Sequence, residues 1–246
     1  MNRIFISTNT FSKAFLTKAW ESRSELLDYE KRGFAQFFYL TICGHVESLL
    51  ASTISRRLGS INLAINKNDS PSMQYIQDDV THECSLEPVF ASIKKIIDSL
   101  QSETESSSLS RLIELHGRIF PQKLNGIVGA ELSADLDALA SLRNLFAHGR
   151  NLNMEFDVND DSFFKGTLDG NAIMKPAQRL LKAGIIKNLE INGHNHHEFH
   201  AIFYGDNAML YFYNAVLEIE EQLISSNTFL PEKYLHFYSK LPCLNA

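Results

Sequence analysis

The residues of this sequence that are best suited to chemistry lie in one short segment, residues 142–149, which reads Leu-Arg-Asn-Leu-Phe-Ala-His-Gly. The guanidinium of Arg143 is a planar fork of donors that matches the geometry of a phosphate and can stabilise negative charge in a transition state. The imidazole of His148 can take a proton from an RNA 2′-hydroxyl or give one to a leaving 5′-oxygen. The two groups would therefore suit metal-independent RNA cleavage, which leaves a 2′,3′-cyclic phosphate.

The spacing of these residues is compatible with such a site on a helix. Arg143 and His148 are five positions apart, about 7.5 Å along a helix axis and roughly 140° around it, so the long Arg side chain must swing toward the helix end. Asn144 and His148 are neighbours at i and i+4, and the Asn amide could hold the imidazole in one orientation. At the C-terminal end of a helix, the dipole favours positive charge on His148.

One amphipathic helix must position the segment. Ser133 is predicted to cap this helix, and Asp135 and Asp137 would lie in its first turn, where the dipole favours negative charge. Gly149 predicts its end. The apolar stripe that should face the core consists of Leu136, Leu139, Leu142 and Phe146.

An Arg followed by a polar residue, three more residues and a His, all at the end of a leucine-striped helix, resembles the active-site motif of HEPN-superfamily ribonucleases. The similarity is close over residues 133–150 and looser over residues 34–58. In the second region, residues 44–50 (Gly-His-Val-Glu-Ser-Leu-Leu) look like the first long core helix of such domains. The resemblance implies an all-α, up-and-down helical bundle that acts as a metal-independent endoribonuclease without a cofactor.

The resemblance also implies site residues and partners. Arg143, Asn144 and His148 would be catalytic, and a homodimer would bring two motif helices into one composite active site. In a bacterium, the protein would be a toxin or an antiphage abortive-infection effector with a neutralising antitoxin or a sensor partner. Some HEPN toxins are silenced by a nucleotidyltransferase partner that modifies a Tyr two residues after the motif His. Arg150 occupies that position here, so this control is not expected.

The overall charge does not favour nucleic acid. The formal net charge is −6, so attraction to RNA must come from a local basic patch. Arg118, Lys123 and Arg150 are the candidates for phosphate contacts. Acidic residues are interspersed through the same span, so a mixed, solvated surface is the alternative.

A non-catalytic interpretation explains the same motif. Arg143 could pair with a carboxylate such as Glu47, and His148 could cap the helix end. The chain would then be a helical module for dimerisation or partner binding. A second pair with the same spacing, Arg111 and His116, lacks the flanking pattern and is not expected to be catalytic.

A third class of function would use a metal. Four histidines, His194, His196, His197 and His200, have a spacing that could ligate zinc, but no Cys or Asp lies nearby. The neighbouring Gly and Asn residues favour an exposed hairpin loop instead. No metal is expected at residues 142–149. The three Cys residues are odd in number and widely spaced, so neither a zinc ribbon nor a disulfide framework is indicated.

The rest of the pattern predicts one HEPN-like domain over residues 1–246, with core helices in 10–150 and 207–226 and a β-containing insertion at 151–205. Apolar residues make up 44% of the chain and charged residues 21%, which is typical of globular proteins. The predicted helices span 10–31, 29–58 (ended by Gly59), 85–100 (capped by Ser85), 109–120, 133–149, 176–189 and 207–223. The predicted non-helical segments are a loop at 65–80, a serine-rich connector at 102–108, a hairpin at 154–168 and a strand at 199–204.

No membrane segment is expected. The longest apolar stretch, residues 34–50, is interrupted by Gln36, His45 and Glu47. The first residues lack the basic and apolar regions of a signal peptide. A cytoplasmic location is therefore expected.

Overall fold

The computed structural model describes residues 9–67, 72–77, 80–148, 155–158, 164–167, 173–187, 189, 191–192 and 202–226. These residues are predominantly α-helical, as predicted. The helices are α1 Asn9–Glu21, α2 Asp28–Asn66, α3 Glu87–Ser106, α4 Leu109–Ile119, α5 Leu124–His148, α6 Met174–Lys182 and α7 Asp206–Ser225. The strands are β1 Ser72–Gln77, β2 Val80–Ser85, β3 Glu155–Val158, β4 Phe164–Thr167 and β5 Ile191–Asn192.

Helix α2, 39 residues long, is the element around which the others pack. It contacts α1, α3, α4, α5 and α7. Its apolar residues recur at helical spacing over several turns, which gives it a broad buried face. That face includes Ala35, Phe38, Tyr39, Ile42, Cys43, Val46, Leu49, Leu50, Ile54 and Leu58. Buried side chains from each of the helices α1 to α7 join it in one hydrophobic core.

The length of α2 bears on the question of a membrane. Residues Tyr29–Asn66 are long and apolar enough to cross a membrane by length and composition alone. However, 56% of the most apolar window is buried inside the protein, which is the pattern of a core helix. The expectation that this stretch does not span a membrane therefore stays a prediction.

Helices α2 and α5 run antiparallel. The ring of Tyr39 stacks on Phe146, with centroids 5.6 Å apart. Further along α2, Glu47 lies near Arg143, which is earlier in α5. Because the contacts advance along α2 while they recede along α5, the C-terminal end of α5 lies against the first half of α2.

Helices α2 and α7 run parallel. Tyr39 contacts Phe212, with ring centroids 5.9 Å apart. One turn and a half further on, His45 Nε2 lies 3.3 Å from Glu220 Oε2, and both side chains are buried. The last of these contacts places a buried polar pair between the two helices.

The predicted helix over residues 10–31 is wrong, because the chain breaks there into two helices. Helix α1 ends at Glu21, a 3₁₀ turn covers Ser22–Glu25, and Leu26 and Leu27 are extended before α2 begins. Arg23 stabilises the end of α1. Its Nη1 donates to the carbonyl oxygen of Trp20 over 2.9 Å, and its guanidinium lies 3.6 Å from the Trp20 ring centroid. The side chain therefore satisfies a carbonyl that the helix end leaves free.

The predicted start of the motif helix at Ser133 is also wrong. The segment labelled α5 begins at Leu124, and Gly129, with the non-helical angles φ 83° and ψ 165°, kinks it into two helices, of which the second carries the motif and already includes Ser133. Asp135 is consequently not a first-turn residue. It is buried, and its Oδ1 accepts hydrogen bonds from Arg179 Nε at 2.5 Å and from the Tyr211 hydroxyl at 2.6 Å.

Two other helices are longer than predicted. Gly59 does not end α2, which continues to Asn66, because apolar residues on both sides of the glycine pack into the core. The serine-rich connector predicted at 102–108 shrinks to two residues, since α3 runs to Ser106. The hydroxyl of Thr104 donates to the Leu100 carbonyl at 2.7 Å, so a polar side chain is satisfied within the helix.

The loop predicted at 65–80 is replaced by a hairpin. Strands β1 and β2 pair antiparallel, from Ser72 opposite Ser85 to Gln77 opposite Val80. The predicted cap of α3 is partly right: Leu86 precedes the helix, while the Ser85 hydroxyl accepts from the Glu87 N–H at 3.3 Å.

The β-containing region between α5 and α7 is present. Strands β3 and β4 form the predicted antiparallel hairpin, and β5 pairs with β4. Helix α6 is shorter than predicted and ends before Gly184, whose φ is 71°. It packs on α5, and its buried residues Ala177 and Leu180 are part of the hydrophobic core, so this region also contributes to the core. Residues 202–204 are helical where a strand was predicted, and 193–201 lie outside the described residues.

The break in α5 gives a test of backbone strain. A Cβ at Gly129 would meet no atom within 4 Å, so only the backbone opposes a side chain there. We expect Gly129→Ala to lower the free energy of unfolding by about 1–3 kcal/mol, because that conformation is strained for an L-residue. Gly59→Ala is the matched control, since a Cβ there also meets open space but within regular helix. It should stabilise the protein by about 0.5–1 kcal/mol. Urea denaturation measures both, and equal effects of the two substitutions would contradict the interpretation.

Candidate active site

The end of α5 is held against the core by its apolar residues. Leu142 is fully buried, and Phe146 packs between Tyr39, on which it stacks, and Tyr204, whose ring centroid is 6.2 Å away. These contacts fix the rotation of the last turns about the helix axis. His148, the last residue of α5, is consequently exposed.

The Arg143 side chain is only partly engaged. Its Nη1 donates to Asn144 Oδ1 at 3.1 Å, and its Nε lies 3.7 Å from Glu47 Oε1. The side chain is 29% exposed. A guanidinium carries five N–H donors, and in the described part of the chain one of them makes a hydrogen bond. With respect to the described residues, the group therefore retains donors for an anion such as a phosphate.

Glu47 joins three helices at this point. Its Oε1 accepts a hydrogen bond from the backbone N–H of Leu109, the first residue of α4, at 3.0 Å. The same oxygen faces Arg143 on α5. A carboxylate at a helix N-terminus satisfies a free N–H group and interacts favourably with the helix dipole.

These contacts bear on the non-catalytic interpretation. Its first half, a contact of Arg143 with Glu47, is present in the structure. Its second half is not seen: the His148 side chain makes no hydrogen bond or ion pair with any other residue in the part of the chain that the structure describes. The expected contact of Asn144 with the imidazole is not seen there either, since Asn144 Oδ1 accepts from Arg143.

A buried thiol lies beside the charged pair. Cys43, one helical turn before Glu47, is fully buried. Burial raises the pKa of the Cys43 thiol, the carboxylate of Glu47 raises it further, and the guanidinium of Arg143 lowers it. The raised pKa keeps the thiol neutral, so Cys43 is part of the packing and not a nucleophile.

The structure does not bring all the candidate RNA contacts together. Arg118 is exposed near the end of α4, roughly 13 Å along the helix from Leu109. Lys123, also exposed, immediately precedes the start of α5, at the opposite end of that helix from Arg143. Arg150 lies outside the described residues. A continuous basic surface around the motif is therefore not formed by Arg118 and Lys123.

The surroundings of the second pair, Arg111 and His116, indicate a structural role. His116 is fully buried and its ring stacks on Phe120, with centroids 4.3 Å apart. Arg111 forms ion pairs with Glu103 and with Glu114, the latter at 2.5 Å. A buried imidazole and a doubly paired guanidinium agree with the interpretation that this pair is not catalytic.

The histidine cluster at 194–200 lies outside the described residues. Within the described ranges, no group of three or more His, Cys, Asp or Glu side chains could hold a metal ion.

Glu47 is the site residue whose role the sequence did not reveal, beyond a suggested pairing with Arg143. The available signal was a charged residue in the middle of the apolar stretch at 34–50, where only a partner in the fold explains it. Comparisons of the chain with protein-family models, curated proteins and solved structures give no match.

The buried imidazole predicts a pH dependence of stability. Burial lowers the pKa of His116 from its ordinary value of 6.5 to about 4. Between these pH values the unfolded chain binds a proton that the folded chain does not. The free energy of unfolding should therefore fall as the pH decreases, by about 1.4 kcal/mol per pH unit in that window.

Urea denaturation at pH 7, 6, 5 and 4 measures this slope. The variant His116→Leu removes the titrating group and should reduce the slope by that amount. An identical slope in the variant and in the unmodified protein would show that another group is responsible.

Proposed function

We propose that this protein is a metal-independent endoribonuclease with Arg143, Asn144 and His148 at its active site. One observation carries the proposal: a partly exposed guanidinium, which makes one hydrogen bond among the described residues, lies on the same helix end as an exposed imidazole. The HEPN-like pattern of residues 142–149 supports the same assignment.

The chemistry needs one base, one acid and charge stabilisation. A histidine takes the proton of the 2′-hydroxyl, and the 2′-oxygen attacks the adjacent phosphorus. The bond from phosphorus to the 5′-oxygen breaks, and that oxygen receives a proton. The products are a 2′,3′-cyclic phosphate and a 5′-hydroxyl. Arg143 would stabilise the negative charge that accumulates on the phosphoryl oxygens, with Asn144 holding its guanidinium through the bond at 3.1 Å.

A homodimer would supply the second histidine. Each chain carries one His in the motif, whereas cleavage is most efficient with a base and an acid on opposite sides of the phosphorus. A two-fold interface that includes the ends of both α5 helices would place two copies of Arg143 and His148 at one cleft. The doubled positive charge would also help an acidic chain to bind RNA.

The biological setting follows from the HEPN resemblance. The proposed role is that of a cytoplasmic bacterial toxin or antiphage abortive-infection effector, with an antitoxin or a sensor as its partner. Arg150 would contact a phosphate near the motif. Arg118 and Lys123, at a distance from Arg143, would contact RNA outside the cleavage site.

The main alternative is a non-catalytic helical module for dimerisation or partner binding. The contact of Arg143 with Glu47 favours it, because a charged residue that is paired between helices can serve stability alone. The following variants separate the two functions.

We expect Arg143→Ala and His148→Ala each to reduce RNA cleavage by about 100-fold or more, because each removes a group that acts in the transition state. Assays in EDTA should show undiminished cleavage by the unmodified protein. Circular dichroism and thermal unfolding should show that the variants remain folded. Arg111→Ala is the control, because it removes an arginine of the second pair, and it should retain full activity. If both motif variants cleave RNA at the unmodified rate, the protein is not this enzyme.

If the active site is shared between two subunits, a dimer with one inactive subunit should lose more than half of its cleavage activity. A heterodimer of one unmodified and one His148→Ala subunit, isolated with two different affinity tags, would keep about half the activity if the sites were independent. A shared acid–base pair should lose far more than half. Full activity in a protein that sedimentation shows to be monomeric would exclude the dimeric model.

A further inference from the structure

We infer that Glu47 is a positioning residue of the proposed ribonuclease, which holds the Arg143 guanidinium in place through its tie to the start of α4. The inference rests on the proposed function and adds a residue from a different helix to it. Three contacts carry it: Glu47 Oε1 to Arg143 Nε at 3.7 Å, Glu47 Oε1 to Leu109 N at 3.0 Å, and Arg143 Nη1 to Asn144 Oδ1 at 3.1 Å.

A contact from another helix is needed to hold the Arg143 guanidinium in one position. An arginine side chain has several rotatable bonds, and its one hydrogen bond in the described structure goes to Asn144, the next residue of the same helix. That bond moves with α5 and orients only one end of the guanidinium. A charge on another helix restricts the remaining freedom, as precise placement of a catalytic group requires.

Glu47 is suited to this task because it is itself held. It comes from α2, and it accepts a hydrogen bond from a backbone N–H at the N-terminus of α4. The side chain is 21% exposed, so neighbouring atoms restrict it on most sides. The Leu109 N–H belongs to the backbone of a core helix and cannot move by a rotamer change. The position of the carboxylate is thereby transmitted from α4 to the guanidinium on α5.

The pairing leaves Arg143 able to act. At 3.7 Å, the contact of Nε with Glu47 is an ion pair and is longer than a hydrogen bond. It attracts the guanidinium without consuming its donors on the side that faces away from the carboxylate. Because Glu47 repels anions, it also directs a phosphate to that opposite side. A carboxylate that formed a bidentate pair with Arg143 would instead compete with the substrate.

The chain offers a matched control in Glu103. This carboxylate is 30% exposed, and it accepts from Arg111 Nε at 2.5 Å between α3 and α4. It resembles Glu47 in exposure and in its arginine partner, but it belongs to the second pair. Removing it tests the general effect of losing a carboxylate between helices.

The experiment is a double-mutant cycle on RNA cleavage, with kcat and KM measured separately. We expect Glu47→Ala to lower kcat by about tenfold or more, and Glu103→Ala to change it by less than about twofold. The affinity for an RNA with a 2′-deoxy residue at the cleavage position, which binds but cannot react, should change little in both variants. In the Arg143→Ala background, Glu47→Ala should cause no further loss, because the residue through which it acts is absent.

Glu47→Gln is the second variant, for the case in which Glu47→Ala impairs folding. The amide keeps an acceptor for the Leu109 N–H but lacks the charge, so α4 stays capped while the ion pair is lost. If Glu47→Ala lowers the thermal midpoint, the cycle is run with Glu47→Gln instead. This variant should lower kcat by at least about threefold in the unmodified protein, and it should cause no further loss in the Arg143→Ala background.

The outcomes distinguish this inference from the proposed function. If Arg143→Ala abolishes cleavage while Glu47→Ala and Glu47→Gln cleave at the unmodified rate or faster, the positioning role is wrong and the enzyme assignment stands. A loss from the Glu47 variants that simply adds to that of Arg143→Ala also overturns the positioning role. If Arg143→Ala itself has no effect, the proposed function fails first.

Discussion

Helix α2 carries more apolar surface than one neighbouring helix can cover, and its burial constrains the remaining elements. Its buried residues extend from Ala35 to Leu58, over about six helical turns. Helices α1, α3, α4, α5 and α7 contact it, and α5 and α7 meet it with opposite directions at the same aromatic cluster around Tyr39. The orientation of the motif helix is therefore a consequence of how α2 is covered.

This packing explains why the candidate site lies where it does. Phe146 is within the motif but belongs to the core, and its stack on Tyr39 decides which side of α5 faces outward. Arg143, one turn earlier, is left at the border between core and solvent, and His148 is left beyond it. Glu47, a polar residue of α2, reaches this border and meets both Arg143 and the start of α4. One apolar contact thus sets the geometry of the polar groups.

The parts of this arrangement that depend on local pattern could be predicted from the sequence. The leucine stripe predicted the core-facing side of α5, the proline at 121 predicted the end of α4, and the spacing from Leu210 to Ile219 predicted α7. Features that depend on distant partners could not. Ser133 and Asp135 have the composition of a helix start, but Arg179 and Tyr211 make Asp135 an interior residue. The pairing of Glu47 with Arg143 was one of the alternatives that the sequence offered, whereas its hydrogen bond with the start of α4 could not be predicted.

The buried contact of His45 with Glu220 has a consequence for how the fold is specified. A pair of this kind contributes little net stability, because both groups lose their hydration. Its effect is on alignment: apolar side chains tolerate a shift of α7 along α2 by one helical turn, about 5.4 Å, since many of them are interchangeable. Such a shift would separate Nε2 from the carboxylate and leave two polar groups in the core without each other. The pair therefore favours one alignment of α7 along α2, and this is the alignment in which Phe212 contacts Tyr39.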